Sequence, residues 1–239
     1  MRCHLWLVAT AVLWVAGSSQ ATELDRAREL ERAQQSQRTN YELAFARLAE
    51  AEPQRLEAEH GQVIRTGGEL ALSLTRGRWT YFHDDEVWCL SGVIPARTDG
   101  CVRFFFVGHP VPQYYLLRAP YPEGSDYRLV DRETGHQTNV PAEPHFASDG
   151  SHFVTVSAAE IYDPDGIEVW SLASGSPKLQ WSHVPSQFAL YHFVAWDGDR
   201  AVSLKVETYV DHVLRKLPAR LLLGDTGWML PGPVEASPY

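Results

Sequence analysis

Ten histidines and thirty acidic side chains give this 239-residue chain ample material for acid–base or metal chemistry, so their spacing decides what they can do. "YDPDGIE" carries Asp163, Asp165 and Glu168, oxygen donors at alternating positions around a glycine, which is how a calcium loop begins. A complete loop needs further donors at fixed later positions, but here the chain runs straight into the apolar alternation "IEVWSL". Asp, Pro and Gly are themselves turn formers, so an acidic hairpin turn is expected. In "FHDDE", His83 to Glu86, adjacent strand residues point to opposite faces; Asp84 and Asp85 then do not converge on one ion, and a solvated turn is expected. His109, His136, His145, His152, His183, His192 and His212 stand singly, without the HxH or HxxxH spacing of a compact zinc site. No phosphate-binding glycine loop, HExxH, GxSxG or SxxK occurs. The sequence therefore assigns no catalytic residue, no cofactor and no metal ligand, although a Ser, His and Asp site assembled from distant residues stays open.

The two cysteines that can do chemistry are best read through the start of the chain. "MRCHLWLVATAVLWVAGSSQATELD" places Arg2 before a twelve-residue apolar stretch, Leu5 to Ala16, with small residues Ser19 and Ala21 ahead of a cleavage point. This is the pattern of a secretory signal peptide over residues 1–21. Its apolar run is shorter than the roughly 20 residues that cross a bilayer, so no stable membrane span is expected after cleavage. Cys3 leaves with the signal. In the oxidising compartment beyond, periplasmic or extracellular, Cys89 and Cys101 in "VWCLSGVIPARTDGCVRF" read as a disulfide closing a hairpin loop. Such a short ring is worth roughly 3 kcal/mol on a loop-entropy estimate. A zinc site would need more cysteines or clustered histidines, and a redox pair would sit closer together. The chain carries a net charge of −9, and losing Arg2 with the signal takes it to −10. Nucleic acid and anionic lipid both repel a protein of their own sign, so neither is an expected partner.

Two textures follow the signal. Residues 22–60 are rich in Ala, Glu, Arg and Gln, contain no Gly, and have Pro53 as their one proline. Thr39 and Glu42 fit a capping box. Tyr41, Ala44, Phe45, Leu48 and Ala49 then share one face at a period of 3.6, a helix that needs a partner. After His60 come short apolar runs punctuated by turn residues: "ELALSL", "RWTYF", "VRFFFVG", "QYYLLRA", "DYRLVD", "HFVTVS", "IEVWSL", "AVSLKV" and "ARLLLGD". These read as strands, and residues 61–239 as one mainly β domain. The four prolines of "VGHPVPQYYLLRAPYPEG" suggest an edge or an irregular insertion there.

The β region repeats. Asp99–Gly100, Asp149–Gly150 and Asp197–Gly198 stand 50 and 48 residues apart, each ahead of an apolar strand. A second strand follows each pair and ends near Gly135, Gly175 and Gly227. Asp-Gly tolerates the positive φ of a tight hairpin turn, which makes these pairs repeat punctuation. A period near 50 residues built from hairpins points to blades that must stack on one another to cover their faces. The stretch from Pro144 to Gly175, with Phe146, Asp149, Gly150, Val154 and Val156, then Ile167, Val169, Trp170, Leu172 and Gly175, resembles one blade of the TolB-type propeller repeat, a relative of WD repeats. Phe146, Ser148 and Ser171 stand where that repeat usually has Trp, Pro and an acidic residue. The resemblance implies a small or incomplete β-propeller-like array with an N-terminal helical segment; a β-sandwich is the alternative fold. By fold analogy the function expected is binding or scaffolding of a protein or envelope component. The alternatives are a hydrolase or lyase of envelope or extracellular polymers, and an accessory subunit docking through its helix.

Overall fold

A computed structural model describes residues 41–84, 103–121, 124–157, 166–173, 175–185 and 188–232, with six helical residues between Arg26 and Ser36, and the described residues after His60 form fifteen strands. Cys89, Cys101, Asp99, Gly100, Asp163 and Asp165 lie outside the described residues, as does the expected signal segment. The strands make four antiparallel sheets, each running in chain order. The first holds β1 (Val63–Thr66), β2 (Glu69–Ser73) and β3 (Trp79–His83). The second holds β4 (Phe105–Val111), β5 (Tyr114–Tyr121), β6 (Gly124–Asp131) and β7 (Gln137–Val140). The third holds β8 (Pro144–Phe146), β9 (His152–Ser157), β10 (Gly166–Ser171) and β11 (Lys178–His183). The fourth holds β12 (Ala189–Trp196), β13 (Ala201–Val210), β14 (Val213–Gly224) and β15 (Gly227–Met229). The fold is thus mainly β with one described helix, α1, over residues 41–58. Four sheets replace the two that a β-sandwich would have.

Side-chain direction alternates along a strand, and this stacks the sheets. Leu70, Leu72 and Phe82 of the first sheet pack on Phe106, Tyr115, Leu117 and Val130 of the second. The neighbouring residues Tyr114, Leu116 and Leu129 point the other way, onto Phe153 and Trp170 of the third. Val154, Ile167 and Val169 of the third sheet meet Val202, Leu204, Val206 and Leu221 of the fourth. Among the described residues these three clusters join consecutive sheets only, and none joins the fourth back to the first. Each junction also carries a side-chain hydrogen bond. Tyr115 Oη donates to the Ser73 carbonyl at 2.5 Å, Tyr114 Oη to the Gly175 carbonyl at 2.9 Å, and Trp196 Nε1 to the His145 carbonyl at 2.8 Å. At the last junction the His145 ring stacks on Phe193 with centroids 3.8 Å apart, and burial pushes its pKa down.

Position in the stack decides the sequence pattern. A strand covered on both sides reads as a near-continuous apolar run, as in β5, whereas one covered on a single side alternates cleanly, as in β13. The proline-rich segment divides on the same logic. β4 is an edge strand with register shifts around Gly108, but β5, expected to be peripheral, is central and largely buried, with Pro120 next to the β5–β6 hairpin.

The repeat punctuation maps onto turns in two sheets. Asp149–Gly150 lies between β8 and β9, and Asp197–Gly198 between β12 and β13; both glycines take a left-handed φ, 68° and 71°, that a Cβ would strain. Asp149 accepts from the Ser151 hydroxyl at 2.7 Å and from the Ser151 N–H at 2.9 Å, which together hold its carboxyl below the usual range. Gly135 and Gly175 fall between the third and fourth strands of their sheets, and Gly227 opens the fourth strand of its sheet, β15. In the second sheet the turn corresponding to Asp149–Gly150 is Pro112–Gln113, between β4 and β5. Sequence repeat and structural repeat are out of step there, because Asp99–Gly100 precedes β4 instead of following it.

Candidate functional site

Two regions bring together side chains of functional interest, one closed and one open. The closed region is a buried ionic lock. Glu52 on α1, Arg65 on β1 and Asp84 just after β3 meet with side-chain exposures of 4%, 11% and 0%. Arg65 Nε and Nη2 grip both Glu52 oxygens, at 2.8 and 3.1 Å, while Nη1 donates to Asp84 Oδ2 at 2.6 Å. The remaining lone pairs serve the edge of β4. The Phe106 N–H donates to Glu52 Oε1 at 3.0 Å, the Phe104 N–H to Asp84 Oδ1 at 3.1 Å, and Arg65 Nη2 donates to the Phe104 carbonyl.

An edge strand's backbone groups need partners, and here side chains supply them. Phe45 of α1 packs edge-on against Phe105 with centroids 5.1 Å apart, and Arg103 lies about 5 Å over both rings. Leu48 is buried and Leu56 packs on the first core cluster, so the apolar face read from the sequence is spent on the body of the protein. His109 adds a second tie, its Nε2 lying 2.7 Å from Glu59 just beyond the helix.

Asp84 corrects the sequence expectation. It is not in a solvated turn but buried against a guanidinium, because the residue after Phe82 and His83 turns inward toward Arg65. Burial pushes its carboxyl above the usual 3.8, against the pull of Arg65, the Phe104 N–H and Arg103. The lock can hold a helix in place, but it presents no reacting group to solvent.

The open region is the outer face of the first sheet. The register aligns Ile64, Ala71 and Tyr81 in one row across β1, β2 and β3, and pairs Ser73 with Trp79 in the next. Small side chains line the central strand and bulky ones flank it, which shapes a shallow trough. Ile64 is 44% exposed, Trp79 37% and Tyr81 52%, whereas the opposite face of the same strands carries the buried Val63, Leu70, Leu72 and Phe82. Glu69 and His83, 3.4 Å apart, close one end of the trough. Large aromatic side chains flanking a groove are the groups that dominate binding energy when a partner desolvates them.

The other residues weighed from the sequence are dispersed. His83 pairs with Glu69, Asp84 with Arg65, His145 with Phe193, His192 with Glu207 and Asp197 with Arg220; no two of the five are bonded to each other. Among the described residues no three His, Cys, Asp or Glu side chains are grouped to hold a metal. Sequence reading missed Glu52 and Arg65, which lie 13 residues apart on different elements and leave no local pattern. It also missed Ile64. The same-face spacing of Trp79 and Tyr81 within "RWTYF", with Thr80 and Phe82 facing inward, was the one signal available. No family model matches the chain, and no curated protein or solved structure is significantly similar to it.

Proposed function

We propose that the chain is an exported binding or scaffold protein, built as a small propeller-like array, that takes a protein or envelope component on the outer face of its first sheet. The observation that carries this reading is the trough of Ile64, Trp79 and Tyr81 around Ala71 and Ser73, an apolar surface on a sheet whose other face is core. Antiparallel meanders stacked in chain order, three of four strands and one of three, support the propeller-like description, as does the resemblance of residues 144–175 to the TolB-type repeat. The signal pattern of residues 1–21 supports export to the periplasm or beyond. Docking through the helix is the weaker reading, because α1 already buries its apolar face at home. A hydrolase or lyase would need acids and histidines gathered in one cleft, whereas His83, Asp84, His145, His192 and Asp197 each have a separate partner.

A photoreactive residue placed at Tyr81, and in a second variant at Ser203 of the fourth sheet, tests the reading in exporting cells. A discrete adduct at position 81 that Trp79→Ala abolishes, with none at position 203, is the expected result. Adducts of equal yield at both positions, or none at either, would overturn it.

A further inference from the structure

The fourth sheet ends in a hairpin that none of the foregoing uses. β13 and β14 are the longest strands, at 10 and 12 residues, and they outrun their neighbours. The pairing of β12 begins with Ala189 opposite Thr208, and β15 pairs only with Leu222 to Gly224. The segment from Tyr209 to Leu214 therefore projects beyond the sheet, turning through Asp211 and His212 at φ 50° and 62°, the paired left-handed residues of a tight hairpin turn. Its side chains run against solubility: Tyr209 is 59% exposed, Val213 50% and Leu214 47%, and Phe188 beside them is 47% exposed with its ring 5.3 Å from that of Tyr209.

The apex between these apolar side chains is polar, Asp211 and His212, and behind it the charge changes sign. Residues 205–220 hold four cations, Lys205, Arg215, Lys216 and Arg220, against two carboxylates, Glu207 and Asp211, on a chain whose net charge is −9. Glu207 is bound by Lys216 at 2.6 Å, while Arg215 points into solvent. At the rise of a β-strand, Lys216 stands about 7 Å behind Leu214. With Tyr209, Val213 and Leu214 sunk roughly 5–10 Å into the headgroup boundary, Arg215 and Lys216 come to the level of lipid phosphates.

We infer that the β13–β14 hairpin is a membrane-surface anchor, dipping Tyr209, Val213, Leu214 and Phe188 into a bilayer and setting Arg215 and Lys216 against anionic headgroups. The acidity of the whole chain disfavours such a surface, and the hairpin is the local exception, with exposed apolar side chains near its turn and cations behind them. The inference does not rest on the role proposed for the first sheet, and the two use different residues.

Co-sedimentation of the full chain with vesicles of phosphatidylcholine and phosphatidylglycerol at about 70:30, against phosphatidylcholine alone, tests it. The expected result is binding to the anionic vesicles that falls with added salt, and a drop of at least tenfold for Leu214→Asp and for Arg215→Glu at unchanged circular dichroism. Tyr209→Ser, a milder change at an exposed site, guards against misfolding and should also weaken binding. All variants share the wild-type N-terminus, so the comparison isolates the hairpin. Equal sedimentation with both vesicle types, no sedimentation, or variants that bind as wild type would overturn it; a protein partner on the hairpin would show as one of these outcomes.

Discussion

The first and fourth sheets both end the stack, and each has one face packed on a neighbour and one facing out, but the two outer faces are made differently. On the fourth, β13 alternates strictly: Val202, Leu204 and Val206 go inward, while Ser203, Lys205 and Glu207 go outward. The outward residues are tied across strands by Glu207 to Lys216 and across a turn by Asp197 to Arg220. On the first sheet the outward row is Ile64, Ala71 and Tyr81, with Trp79 alongside and the Glu69–His83 pair at one end, while Arg65 turns inward into the lock with Glu52 and Asp84. The fourth sheet's outer face mixes paired charges with exposed Val194, Tyr209 and Leu214, whereas the first sheet sets Ile64, Trp79 and Tyr81 beside a single Glu69–His83 pair and uses charge as a buried fastening.

The largest expected consequence of this difference is Arg65→Ala. Removing the guanidinium strands two buried carboxylates, and loss of one partner in a buried ion pair costs about 3–5 kcal/mol. Urea unfolding should show it together with loosening of α1, and a change under about 1 kcal/mol would break the comparison at its root. Next comes Leu72→Ala, which opens a cavity between the first and second sheets and should cost about 2–5 kcal/mol, whereas Ile64→Ala one residue row away on the outer face should cost under about 1 kcal/mol.

Smaller, but opposite in sign at the two ends, is the response to pH. Asp84 binds its proton more tightly folded than unfolded, so its contribution to stability is complete below the ordinary 3.8 and is lost as pH rises through the higher folded value. Glu207 is held below its ordinary 4.5 mainly by the Lys216 hydrogen bond, so its contribution is present above 4.5 and is lost as pH falls through the folded value. Unfolding midpoints between pH 3 and 6 should therefore show Asp84→Asn gaining on wild type as pH rises and Glu207→Gln gaining as pH falls; parallel curves for the two would contradict the account. The smallest effect is expected of Arg220→Ala, which breaks an exposed pair with both side chains more than half exposed and should cost under about 1 kcal/mol.

How much of this was legible in the sequence follows from burial. The seven interior strands, β2, β5, β6, β9, β10, β13 and β14, each overlap one of the nine runs read as strands, because burial on one or both faces imposes alternation or an apolar run, although β14 begins six residues before its run. The six unread strands, β1, β7, β8, β11, β12 and β15, are all sheet edges. "QTNV" of β7 and "KLQWSH" of β11 are largely exposed, so nothing selects an apolar period in them. The candidate site suffered for the same reason. Tyr81 and Trp79 stood in a run that could be read, but Ile64 stood on an edge strand that could not. The ionic lock was hidden more deeply, because Glu52, Arg65 and Asp84 come together only once the helix lies over the β4 edge. The acidic pair in "FHDDE" gave no sign that one of its members would be buried.

The most direct measurement is hydroxyl-radical footprinting of the protein in intact cells and after purification. The account expects Trp79 and Tyr81 to react readily in the purified protein and to be shielded in cells, while the buried Trp228 is slow in both and Met229, 44% exposed on the fourth sheet, is fast in both. Trp79 and Tyr81 reacting equally in the two settings would contradict it.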